Sequence, residues 1–300
     1  MTCCGNGNRK ALCVGIDDYP TSPLGGCVND AELWAQTLEG IGFAEPVLLT
    51  DADATREGIL TALGDLVDGA APGDVLVFQY SGHGTQLPDL DGDEDDSNDE
   101  SLCPVDFDEG AFVIDDDLWA LLGRLGEGVS LTVFLDCCHS GSATRVAAGR
   151  AARPRASTAK ARFLRATPKM KKAHAKFRAE LGPVEHPVEL MTWVNFSACQ
   201  PHEVAWEHAG QGDFTRHATT ALLGGLAGRT NEAFHQEVVS AFGPTPQQRP
   251  YLDCPAEALG RGLLEPITAG PRTPASRSSG DVAALLESVA RLLRSGSSGG

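Results

Sequence analysis

Residues 131–145 read LTVFLDCCHSGSATR. An apolar run, Leu131–Leu135, stops at Asp136, Cys137, Cys138 and His139, and Ser-Gly-Ser follows. Adjacent cysteines rarely make a comfortable disulfide, so the pair raises the question of which thiol matters. A short apolar run bounded by turn residues suits a buried strand. Similar runs recur at Lys10–Ile16, Pro46–Thr50, Asp74–Tyr80 and Val194–Ser197. Between them lie helical patterns at Val28–Ile41, at Asp53 to about Val67, at Asp115–Leu125 and at Phe214–Leu226. Continuous apolar strands alternating with amphipathic helices predict a mostly parallel sheet with helices on both faces. In such α/β sandwiches, sites form beyond the carboxyl ends of the strands.

Two strand ends carry chemistry. One is Tyr80-Ser81-Gly82-His83-Gly84; the other is Leu135-Asp136-Cys137-Cys138-His139. Side chains alternate along a strand, so Ser81 and His83 are expected on one face, and Asp136 and Cys138 on one face. Cys137 then points away. A thiolate is the nucleophile, and an imidazole generates it. Gly84 and Gly141 let backbone approach a substrate closely. The N–H groups of Gly84 and Cys138 are candidates for an oxyanion hole. Asp136 is a poor activator, because a carboxylate beside a thiol disfavours the thiolate. It fits better as a counter-charge for a cationic substrate, Arg or Lys before the scissile bond. Cys137-Cys138-His139 does not suit zinc, since three consecutive residues do not readily surround one ion.

The ordered set Val14-Gly15-Ile16, GCVNDA (26–31), YSGHGTQ (80–86), CPVD (103–106), IDDDL (114–118), DCCHSG (136–141) and SACQ (197–200) resembles the metacaspases of the caspase-like clan. The resemblance covers roughly residues 10–225 and implies a caspase-like three-layer α/β sandwich. It also implies a cysteine endopeptidase with His83 and Cys138 as its dyad, cutting after Arg or Lys. By the same resemblance Cys27, Asp30, Ser81 and Asp136 form the S1 pocket. Read alone, Asp30 is a first-turn helix acid favoured by the dipole. Calcium ligands are implied at Asp99, Asp115 and Asp116, while a further family Asp position falls on Arg145. The competing readings are a silent calcium-dependent binding module and a cysteine hydrolase of a non-peptide amide.

The chain has 300 residues, 42% of them hydrophobic, which is ample for one core. Its net charge of −17 argues against nucleic-acid binding. The charge is unevenly placed. Residues 85–117 hold 14 acids and no Lys or Arg, while residues 145–178 hold 12 Lys/Arg and no acid. The basic block predicts a self-processing or inhibitory segment held across the acidic S1 site. Solvated charged loops are the alternative for both blocks. Nine cysteines without a framework spacing suit a reduced, cytoplasmic chain, with Cys3 and Cys4 as spare thiols and Cys199 and Cys254 as packing residues. No transmembrane run is present, and MTCCGNGNRK does not read as a signal peptide. The expected organisation is an N-terminal extension (1–9) and a peptidase domain (10–267) with a basic insertion at 145–180. A linker (268–280), an amphipathic helix (281–294) able to dock on its own domain or on a partner, and a flexible tail (295–300) follow. A monomer acting on protein or peptide substrates is expected.

Overall fold

The main sheet runs parallel through five strands. β1 (Arg9–Gly15) pairs with β2 (Val47–Thr50) on one side and β3 (Val75–Ser81) on the other. β3 pairs with β7 (Ser130–Asp136), and β7 with β9 (Val194–Ser197). β12 (Tyr251–Asp253) closes the row antiparallel to β9. The order is β12-β9-β7-β3-β1-β2. The computed structural model describes residues 7–90, 98–138, 159–182, 191–201 and 203–267. These residues lie within a compact unit that ends at Ile267. The linker, amphipathic helix and tail expected at 268–300 lie outside them, as do His139 and Arg145.

Strand alternation sorts the apolar residues into two cores. Leu12, Val14, Leu76, Phe78, Tyr80, Val133 and Leu135 join one cluster. Ala11, Cys13, Val75, Val77, Phe134 and Phe196 join the other. This is the period-two rule for a sheet covered on both faces. Helix α2 (Arg56–Asp68) supplies Ile59, Leu63 and Val67 to the first cluster, and α3 (Asp115–Leu122) supplies Leu122. Helices α1 (Cys27–Gly40), α5 (Asp213–Leu223) and α6 (Asn231–Ala241) line the second with Trp34, Phe214 and Phe234. The result is three layers, as the periodicity predicts. Thr55 starts α2 by accepting the Gly58 N–H, a cap that stabilises by about 1 kcal/mol.

The rest departs in detail. The helix expected over Asp115–Leu125 ends at Leu122. The acidic region forms a small antiparallel sheet of β4 (Gly84–Pro88), β5 (Asn98–Leu102) and β6 (Val113–Ile114). The basic region contributes β8 (Lys160–Ala161) and helix α4 (Pro168–Leu181). β8 joins a third sheet with β10 (Trp206–His208) and β11 (Gln211–Gly212). Short α7 (Ala256–Leu259) lies near the end of the described residues. Among them, no helix is long and apolar enough to cross a membrane.

Candidate active site

β3 and β7 end level with each other, because Ser81 pairs in register with Asp136. Past these ends the chain presents Gly82-His83 and Cys137-Cys138. Cys137 packs in the first core and Cys138 in the second, so the two thiols point to opposite faces of the sheet. That answers the question raised by the adjacent cysteines.

His83 is held from several directions. Its Nε2 lies 2.7 Å from the Ser22 carbonyl oxygen. The N–H of His83 donates to Tyr19 Oη at 3.0 Å, and Tyr80 Oη donates to the His83 carbonyl at 2.9 Å. The Tyr19 ring lies 4.7 Å from the imidazole. Nδ1 makes no hydrogen bond of normal geometry, and the ring also feels the Arg162 main chain. Ser22 has φ 61°, a left-handed conformation that is uncommon for a residue with a side chain and is found at functional sites. Gly82 is required here, since a Cβ would press on both tyrosine hydroxyls. Burial lowers the His83 pKa to about 4, against the raising effect of the Ser22 contact. The imidazole is therefore neutral at pH 7.

Cys138 Sγ accepts the Ala205 N–H at 2.7 Å. Its neighbour Cys199 packs as expected, and its thiol is pushed well up by a hydrogen bond with Cys138 and by burial.

The predicted S1 residues surround a cation from the chain itself. Arg162 is fully buried. Its Nη2 lies 2.5 Å from Asp30 Oδ2 and 3.5 Å from Glu207 Oε2, and its Nη1 lies 3.1 Å from Asp136 Oδ2. Asp136 Oδ2 also accepts from the Thr215 N–H and hydroxyl, and Asp30 accepts from the Gly212 N–H. Asp30 does sit in the first turn of α1, but its carboxylate is spent on this pocket. Burial pushes the Asp30 carboxyl up, and Arg162 pulls it back. Burial also opposes the charge on Arg162, yet Asp136, Asp30 and Glu207 outweigh it and keep the guanidinium protonated. Cys27 is buried with Sγ 3.9 Å from Glu207 Oε2. The Ser81 hydroxyl accepts from Gln79 Nε2 at 2.8 Å, beside Asp136 in the sheet.

The Arg162 main chain is placed as specifically as its side chain. Its carbonyl oxygen accepts from the Gly84 N–H at 3.1 Å and the Cys138 N–H at 3.2 Å. These are the two donors expected of an oxyanion hole. Its N–H donates to the Ala205 carbonyl, and the Leu164 N–H donates to the Gly84 carbonyl. Lys160–Ala161 thus lie as an added strand, and Arg162 follows with its side chain among the acids and its carbonyl between the Gly84 and Cys138 N–H groups.

The three aspartates implied for calcium lie in elements that supply none of the Arg162 contacts described above. Asp99 lies in β5, while Asp115 and Asp116 open α3; Asp99 and Asp116 are buried. Among the described residues, Asp17, Cys27 and Glu207 bring ligand atoms within 4.8 Å of one another, and the three aspartates do not.

Sequence reasoning missed Ser22, Tyr19, Tyr80, Ala205, Glu207, Gly212 and Thr215. Tyr80 opens the YSGHGTQ motif, which could have flagged it, whereas the others lie outside the quoted motifs and carry no sequence signal of their own.

Residues 9–147 match the family model described as metacaspase, peptidase C14 domain. Metacaspase-1 of Cryptococcus neoformans var. neoformans serotype D is 45% identical over 148 residues, 46% of this chain and 32% of that protein. Metacaspase-1A of Aspergillus fumigatus is 45% identical over 148 residues, 46% of this chain and 36% of that protein. This chain spans about a third of the length of these curated relatives. The crystal structure of protein GSU0716 from Geobacter sulfurreducens superposes with a TM-score of 0.70 at 27% identity, over 87% of this chain and 100% of that one. The family-model match ends at residue 147, before Arg162, whereas the structural likeness extends over most of the chain. Over residues 9–147, this chain is similar to the peptidase domain of the metacaspases.

Proposed function

We propose that the chain is a cysteine endopeptidase that cleaves after Arg or Lys, and that its own Arg162–Phe163 bond is its first substrate. The observation that carries this reading is the double placement of Arg162, with its guanidinium among three carboxylates and its carbonyl oxygen on the Gly84 and Cys138 N–H groups. A planar guanidinium suits such a set of acids better than any neutral side chain. A silent binding module would not need the neutral His83.

In this mechanism His83 takes the thiol proton and Cys138 Sγ attacks the Arg162 carbonyl carbon. The Gly84 and Cys138 N–H groups hold the developing oxyanion. His83 then gives its proton to the Phe163 amine as the peptide bond breaks. A water activated by His83 hydrolyses the thioester and frees the Arg162 carboxylate. The donors already hold the carbonyl, so positioning contributes before chemistry begins.

Calcium stimulation belongs to the same reading. Three carboxylates suit a hard cation with oxygen ligands, and Asp99, Asp115 and Asp116 would hold it. Asp99 lies in β5 and Asp115 and Asp116 open α3, so an ion held by all three would tie β5 to α3. A reduced cytoplasmic setting suits the seven free cysteines among the described residues.

The test is intact-mass and peptide mass spectrometry of purified wild type beside Cys138→Ala, before and after calcium. The expected result is a cut between Arg162 and Phe163 in wild type alone. Equal cutting in both proteins, or an uncut wild type under every condition, would overturn self-cleavage.

A further inference from the structure

Arg162 has a basic neighbour two residues back, and one acid serves both. β8 lies antiparallel to β10, with Lys160 directly opposite Glu207 and Ala161 opposite Trp206. In an antiparallel pair, opposite and diagonal side chains on one face touch. Glu207 is therefore opposite Lys160 and diagonal to Arg162. The distances agree, since Glu207 Oε2 is 3.5 Å from Arg162 Nη2 and Oε1 is 3.9 Å from Lys160 Nζ. Glu207 is almost fully buried, while the Lys160 side chain is 47% exposed. A second acceptor completes the place, because Lys160 Nζ donates to the Pro23 carbonyl at 3.0 Å.

We infer that Glu207 and the Pro23 carbonyl form a second, cation-selective subsite, so that substrates with a basic residue at P3 as well as P1 are preferred. This rests on the peptidase reading above. The reason lies in the backbone. Any peptide whose P1 side chain enters the S1 pocket while its main chain pairs with Ala205–Glu207 must set its P3 residue opposite Glu207. An acidic P3 would meet the carboxylate and lose the Pro23 bond. A neutral P3 would leave Glu207 to Arg at P1 alone. Ala161 at P2 makes no ion pair in this arrangement, so the two charged positions alternate with an uncharged one, as strand geometry requires.

The experiment uses the full chain after calcium activation and three peptides built on the chain's own sequence: Lys-Ala-Arg-Phe-Leu, Ala-Ala-Arg-Phe-Leu and Glu-Ala-Arg-Phe-Leu. Cleavage is followed by mass spectrometry for wild type and Glu207→Gln. Wild type is expected to favour Lys over Ala at P3 by about fivefold in kcat/KM, the scale of a half-exposed ion pair, and to disfavour Glu. Glu207→Gln slows every peptide through P1, so the reading is the Lys-to-Ala ratio within each protein. That ratio is expected to fall to about one in Glu207→Gln, and to shrink in wild type as salt rises. Cleavage of all three peptides at equal rates by wild type, or an unchanged ratio in Glu207→Gln, would overturn the subsite while leaving the peptidase reading intact. Cleavage of none of them would overturn the peptidase reading, and the subsite with it.

Discussion

Single residues set the tolerance of this site. A Cβ on Gly212 would overlap Asp136 Oδ2, Arg162 Nη1 and Asp30 Oδ2 at once. Gly212→Ala should therefore push the guanidinium out of register with both aspartates. Misplacement on the order of 1 Å costs about a hundredfold in rate, so self-cleavage should fall by about that much, and the melting temperature should drop as the buried ion pairs are strained. Timed gel or mass analysis beside a thermal melt checks this; cleavage at the wild-type rate would contradict it. His83 makes a pH prediction. Burial holds its folded pKa to about 4, below the ordinary 6.5. The imidazole thus stays neutral, and able to take the Cys138 proton, until the pH falls towards 4. The acid limb of self-cleavage should have its midpoint near 4, and one near 6.5 would mean that the imidazole is solvated when it reacts. Asp136 illustrates what a residue type alone conveys. Its charge made it a poor thiol activator in the sequence, and in the fold its Oδ2 lies 3.1 Å from Arg162 Nη1.

Elements carry the link between the acidic region and the chemistry. β4 begins at Gly84, whose N–H is one of the two donors to the Arg162 carbonyl, and it pairs with β5 so that Leu87 opposes Asp99. An ion held by Asp99, Asp115 and Asp116 would bear on β5, and through the ladder on Gly84. Calcium at millimolar level is expected to speed self-cleavage about tenfold or more over a chelated sample, and Asp99→Asn to abolish the stimulation while the chelated rate persists. Unchanged stimulation in Asp99→Asn would remove this residue from the site. The strands of the main sheet were legible because they are short continuous apolar runs. The β4–β6 sheet was not, because β4 and β5 are largely polar, β6 is only two residues long, and all three lie in an acid-rich region. β10 escaped for the same reason: three residues of Trp-Glu-His have no period to read.

At the scale of the molecule, the three layers follow from pattern alone. Short continuous apolar strands between amphipathic helices point to a parallel sheet covered on both faces, and the two cores divide as strand alternation demands. The same rule separated Cys137 from Cys138 using only residues within a few positions of the motif, whereas sheet order made β3 and β7, and so the ends that carry His83 and Cys138, neighbours. The sequence alone also marked 145–178 as a basic block able to answer an acidic pocket. Tertiary structure alone decided which of its 12 cations enters, Arg162, and which acid completes the pocket, Glu207. The physical reason is distance along the chain. Asp30, Asp136, Arg162 and Glu207 meet through sheet order and an added antiparallel strand. Periodicity reports a residue's face within its own element, but pairing between distant elements is fixed only when their registers lock together.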